Sequence, residues 1–189
     1  MYLNCLESRI DHRSEISSIV TSMVHASKYG SRDGHDFENA LKPFLYLFRE
    51  TRNVDIISGA GNTDLLCTME ELPSERRYKM NVDAKTRGSA LEEINPIRIT
   101  NHIRRHGAEF CIVVAPRFAS GVQGDIREFQ IVTVRSEDLG AYCYRECMES
   151  RDGYADFSSL LAIIHANQGR DITSKVRDLT ESRYGITLM

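Results

Sequence analysis

Asp83 and Lys85 lie two positions apart in Lys79-Met80-Asn81-Val82-Asp83-Ala84-Lys85, a stretch in which polar and apolar residues alternate without a break. On a strand, alternation puts Asn81, Asp83 and Lys85 on one face and Met80, Val82 and Ala84 on the other. A further acid, Asp64, opens the nearby β-like run Asp64–Met69. Two acids and a lysine in this order suit metal-assisted phosphodiester hydrolysis. Mg²⁺ prefers oxygen ligands, keeps several waters and takes one or two protein carboxylates. A lysine beside it can orient the attacking water and steady charge on the phosphorane. A plain amphipathic strand with solvent-facing acids fits an isolated Asp-x-Lys equally well. The two readings differ physically, because a carboxylate among apolar residues is costly unless something pairs with it.

The surrounding pattern must place Asp64 next to Asp83. Short β-like runs at Val54–Ile57, Asp64–Met69 and Arg77–Lys85 are separated by the Gly-rich SGAGN and by MEELPSER, as in a meander. Such a hairpin sets the two acids side by side, where like charges repel without a cation between them.

Upstream, residues 7–28 read as an amphipathic helix on Ile10, Ile16, Ile19, Val20, Met23 and Val24. Tyr29-Gly30 and Asp33-Gly34 then break the chain. A second helix is expected over His35–Arg52, capped by Asp36, with Phe37, Leu41, Phe44, Leu45 and Phe48 inward and Pro43 as a kink. Downstream, Leu91–Arg105 looks helical with a late start at Pro96. Phe110–Ala115 reads as a central strand covered on both faces, and Phe129–Val134 as another strand. Helices are expected over Ser136–Cys147, Asp156–Ala166 and Thr173–Tyr184. The fold class is α/β: a central mixed sheet flanked by helices.

The chain has 189 residues, 41% hydrophobic and 27% charged, enough for one domain with a sizeable core. No apolar run approaches a membrane span and no signal peptide opens the chain, so a cytoplasmic protein is expected. Five cysteines without a CxxC pair suit reduced thiols. A net charge of −3 is unlike a protein that binds nucleic acid unaided, since phosphate neutralisation dominates that affinity. A chain of this charge that acts on DNA needs something else to deliver it.

Taken together, DFENALKPF at 36–44, GAGNTD at 59–64 and NVDAKTRG at 81–88 resemble the PD-(D/E)xK nucleases, and within them the FokI-type cleavage domain of type IIS restriction endonucleases. That family runs from a helix beginning Phe-Glu, through a Gly-rich turn and Pro-Asp, to a hairpin ending Val-Asp-x-Lys. FCIVVAPRF and IVTVRSEDL extend the similarity, so that it covers roughly residues 35–184. The resemblance implies a restriction-endonuclease-like core at 35–184, an N-terminal helix at 1–30, and a single nuclease domain over 1–189. It implies Asp64, Asp83 and the Ala84 carbonyl as metal ligands, Lys85 as the catalytic lysine, and Glu38 supporting the metal through water. An acid in the first turn of a helix is equally a dipole partner, so both readings of Glu38 stay open. Thr63 stands where the family has proline.

The cofactor implied is Mg²⁺, with Mn²⁺ able to substitute, and the substrate double-stranded DNA. With the cleavage domain filling the chain and no reading element apparent, the resemblance points to the small cleavage subunit of a heterodimeric type IIS enzyme. A larger subunit would recognise the site and cut the other strand. The expected meeting face is the helix after the Asp-x-Lys strand, around Arg98, Asn101 and Arg105. The alternatives are a stand-alone or homodimeric repair or junction nuclease, and a non-catalytic interaction subunit. His102 and His106 have zinc-helix spacing but lack the acid of HExxH, and read as a solvated basic face. Cys143 and Cys147 read as core. Arg104 and Arg117, like Arg98 and Arg105, read as surface or phosphate contacts.

Overall fold

A computed structural model describes residues 2–31, 34–57, 64–86 and 88–185, with side chains from His12 onward. The SGAGN turn, Thr63, Asp33 and the side chain of Ile10 lie outside the described residues. The elements run α1 (Tyr2–Tyr29), α2 (His35–Leu45), β1 (Thr51–Ile56), β2 (Leu65–Glu71), β3 (Arg76–Ala84), α3 (Pro96–His106) and β4 (Phe110–Ala115). They continue α4 (Val122–Ile126), β5 (Ile131–Arg135), α5 (Ser136–Glu149), α6 (Ser158–Ala166), β6 (Arg170–Asp171) and α7 (Thr173–Tyr184). The strands form one sheet in the order of the chain. β2 runs antiparallel to both its neighbours, β1 and β3, and β3, β4, β5 and β6 are parallel. This is the expected mixed sheet.

Side-chain alternation along the central strands divides the interior into two cores. Met80, Val82 and Ala84 of β3 and Phe110, Ile112 and Val114 of β4 pack against α1, α2, α5, α6 and α7. Cys111, Val113 and Ala115 face the other way, onto Ile99 and Ile103 of α3 and Val122 and Ile126 of α4. Burial on both faces explains the unbroken apolar run of β4.

Several boundaries move. The second helix ends at Leu45, not Arg52, and Thr51 already begins β1. Pro43 has no N–H to donate and its ring crowds the preceding turn, so the helix runs only two residues past it. Phe48 is nevertheless buried, held by a parallel bridge to Ala155 and an edge contact with Phe157 at 5.1 Å. Its place on the apolar face imitated helical period. Gly34, with φ of 84°, occupies the N-cap expected of Asp36, whose carboxylate instead accepts from the Ser31 N–H at 2.8 Å. Pro96 does start α3, behind an Asn95 cap that accepts from the Arg98 N–H at 3.0 Å, and Gly107 at φ 63° closes it. The short α4 and β6 carry too few residues to show a period in sequence.

Candidate active site

β2 and β3 pair antiparallel with Leu65 opposite Val82, so Asp64 and Asp83 meet at the end of the hairpin, as expected. Asp64 Oδ2 accepts the Ala84 N–H at 2.6 Å. On the other side of β3, the Lys85 N–H donates to the Val114 carbonyl of β4 at 2.9 Å. A trans peptide directs its C=O opposite to its N–H. The Ala84 carbonyl therefore leaves β3 on the Asp64 side, where Lys85 Nζ also stands 3.5 Å from it. One strand end thus presents the Asp64 carboxylate, the Asp83 carboxylate and a main-chain oxygen together.

Lys85 Nζ lies 2.8 Å from Asp83 Oδ2 and 3.5 Å from Asp64 Oδ2. Asp83 is 1% exposed, and both its oxygens are buried without a hydrogen bond of good geometry. Its cationic neighbours are Lys85 and, at 3.9 Å from Oδ1, Arg98 Nη2. Burial first and the Asp83 charge second push the Asp64 carboxyl up to about 7, against the downward pull of Lys85 and the Ala84 N–H. Burial works to lower the Lys85 pKa, but the charges of Asp83 and Asp64 outweigh it and the net shift is upward. Lys85 is therefore an ammonium here. An amphipathic strand with solvated acids is not what is found, because these acids are withdrawn from water and share one cation.

The donor set fits a small hard cation. Buried, underused carboxylate oxygens and a carbonyl suit Mg²⁺, which completes its shell with water and substrate oxygens. Glu38, in the first turn of α2, contributes to the upward shift of Asp64, so it stands within electrostatic reach of the site. Its Oε2 is 3.3 Å from His35 Nδ1. Among the described residues no three His, Cys, Asp or Glu side chains are placed to hold a metal ion, so Glu38 makes no third direct ligand.

His102 corrects the expectation of a solvated basic face. It is 3% exposed beneath α3, between the buried Ile99 and Ile103, while His106 is only partly covered. Burial and then the Arg105 charge hold the His106 pKa below its usual value. Cys143 and Cys147 are core residues, as read from sequence. The site also holds a residue whose place had no sequence signal, because Arg98 comes from a separate helix. Asn81, on the Asp83 face where alternation placed it, is fully buried with no hydrogen bond to its amide among the described residues.

No protein-family model matches the chain. The type II restriction enzyme HgaI of Avibacterium volantium is 33% identical over 151 residues, 79% of this chain and 29% of HgaI. The structure of restriction endonuclease FokI matches with a TM-score of 0.57 over 79% of this chain and 30% of that one. FokI bound to DNA matches with a TM-score of 0.63 over 85% and 33%, both at 11% identity. Six mixed strands between helices, with paired acids and a lysine at one strand end, define a restriction-endonuclease-like domain. The chain is homologous to a part of the restriction enzyme HgaI and shares the fold of the restriction endonuclease FokI. It spans about a third of the length of the proteins it matches.

Proposed function

We propose that the chain is a Mg²⁺-dependent DNA endonuclease that hydrolyses one phosphodiester of one strand. In this reading it is the cleavage subunit of a heterodimeric type IIS restriction enzyme, brought to its site by a larger recognising subunit. The convergence of Asp64, Asp83 and Lys85 on one strand end, in a fold shared with FokI, carries the reading.

Asp64, Asp83 and the Ala84 carbonyl would hold the ion. When bound, Mg²⁺ neutralises charge on the phosphate and lowers the pKa of a water. Asp83, rigid in the sheet, fixes the depth of the site, and the Ala84 N–H fixes the rotamer of Asp64. Lys85 holds its proton at Nζ while both carboxylates face it, and as an ammonium it steadies developing charge on the scissile phosphate. With those carboxylate charges offset, burial and the Arg98 charge act on Lys85 and draw its pKa down, toward a group that can take a proton from water. Glu38 acts from a distance, through water.

One such site holds one scissile phosphate, so cutting both strands requires a second domain. A net charge of −3 and an acidic site also oppose unaided DNA binding, in favour of delivery by a partner. Incubating supercoiled plasmid with the chain and Mg²⁺, alone and with the recognising protein, tests this. Cutting of both strands at a fixed site with the partner, and no cutting by the chain alone, supports the reading. Sequence-specific double-strand cutting by the chain alone contradicts the heterodimer.

A further inference from the structure

The sheet edge that carries Lys85 continues across β4 to β5. Asp83 pairs with Val113, Val113 with Thr133, and Ala115 with Arg135, so Arg135 stands on the face and at the level of Lys85, two strands away. At about 4.8 Å per strand the separation is roughly 10 Å, about the axial span of three nucleotides of one DNA strand. Beyond the ends of β3 and β4, Leu91 and Phe118 form a parallel bridge.

Arg135 is joined there by Arg177 of α7, and a single buried carboxylate anchors both. Asp138 is 3% exposed; Arg135 Nε and Nη2 lie 2.7 Å from its Oδ2, and Arg177 Nε lies 2.9 Å from Oδ1. Among the described residues the Arg177 guanidinium donates from Nε, to Asp138, and from neither Nη. The two half-buried arginines border a polar cavity of about 430 Å³, shared with Phe118, Gln123 and Ser174. Asp171 also lines it, but its Oδ1 is committed to the Thr173 N–H at 2.8 Å. Arg135 and Arg177 are matched by Asp138 and Asp171, and the charges of Glu181 and Asp178 also act on Arg177. The cluster therefore recognises by geometry, with guanidinium forks pre-set by Asp138, and not as a general basic patch.

We propose that the Arg135–Arg177 cavity is a second phosphate-binding site, which grips a backbone phosphate of the strand being cut a few nucleotides from the hydrolysed one. The proposal rests on the nuclease reading above and adds to it the means by which an acidic domain keeps its substrate in register. An ion cluster serving only the fold predicts no role in DNA affinity.

Fluorescence anisotropy with a short duplex in Ca²⁺, across a range of low salt, tests it. Losing one phosphate contact lowers the slope of log affinity against log salt by about 0.9, which is about eightfold in affinity near 0.1 M salt. Arg177→Gln should show that loss, and Arg177→Lys should keep the slope. Ser174→Glu places a carboxylate at the cavity in the first turn of α7, where an acid favours the helix. It should weaken DNA binding severalfold with Tm unchanged or higher, so unfolding is no explanation. Wild-type affinity and slope in both Arg177→Gln and Ser174→Glu would overturn the second site while leaving the nuclease reading intact. Wild-type chain that binds no duplex at any salt overturns the second site, and failure to nick even with the recognising protein overturns both.

Discussion

The Ala84 N–H donates to Asp64 Oδ2 at 2.6 Å, joining the end of one hairpin strand to the acid that opens the other. The bond fixes the Asp64 carboxylate against β3, and so against the charge of Asp83, before any cation arrives. The site is consequently pre-organised but electrostatically unfavourable without metal, and that tension has consequences that can be measured.

The first concerns pH. The Asp64 carboxyl sits near 7 in the folded chain, against an ordinary value near 3.8, so between these pH values the folded state binds more protons than the unfolded one. Stability from this group is therefore full below about pH 4 and falls as pH rises to about 7, by a few kcal/mol. Chemical denaturation of metal-free protein should show this decline superimposed on the other groups. Asp64→Asn should flatten it and raise stability at pH 8. An unchanged profile in that variant would show that Asp64 is not strained.

Divalent ions should reverse the same penalty. Ca²⁺ or Mg²⁺ should raise Tm more at pH 8 than at pH 5, because binding requires both carboxylates ionised. Affinity for free protein should be weak, since the site is completed by phosphate oxygens, and Ca²⁺ should support DNA binding without turnover. Calorimetry and Tm measured against ion concentration check both points, and tight binding in the absence of DNA counts against a two-carboxylate site.

The outer face of α3 is the expected meeting surface with a second catalytic domain, but its residues are not equivalent. Arg98 reaches to 3.9 Å from Asp83, so reversing its charge disturbs the active site as well. Asn101 and Arg105 are exposed on that helix and outside the acid cluster. Asn101→Glu with Arg105→Glu should spare Tm and partner-dependent nicking while reducing second-strand cutting at least tenfold, about 1.4 kcal/mol of barrier or more. Retained double-strand cutting would move the interface elsewhere.

Phe48 offers a test of the fold. It is 2% exposed between Phe44 and Phe157, and Phe48→Ala should cost about 3–5 kcal/mol in urea denaturation. Tyr29→Ala, at a side chain 73% exposed, should cost almost nothing. Comparable costs would mean that the turn after α2 is not packed as found.

The strand carrying Asp83 and Lys85 was legible because alternation and strand are the same period, and β4 because burial on both faces leaves no polar residue. The end of α2 was not, because Phe48 is buried by a bridge to Ala155, more than a hundred residues on, and not by helical periodicity. His102 was misread for a similar reason: flanking arginines suggest solvent, but the helix turns this one ring inward. The approach of Arg98 to Asp83 and the Arg135–Asp138–Arg177 cluster depend on tertiary juxtaposition of separate elements, which no local spacing encodes.

The most direct test is the Mg²⁺-dependent rate at which Asp83→Ala and Lys85→Ala, each with the recognising protein, cut the strand assigned to this chain, against the wild type and with folding checked by Tm. If Asp64, Asp83 and Lys85 form one hydrolytic site, either change should reduce cutting by several orders of magnitude in a protein that still folds, with Tm kept or raised for Asp83→Ala and lowered for Lys85→Ala, which leaves Asp83 without its nearest cation. A correctly folded variant that keeps more than about a tenth of the wild-type rate, a barrier change under about 1.4 kcal/mol, contradicts that role.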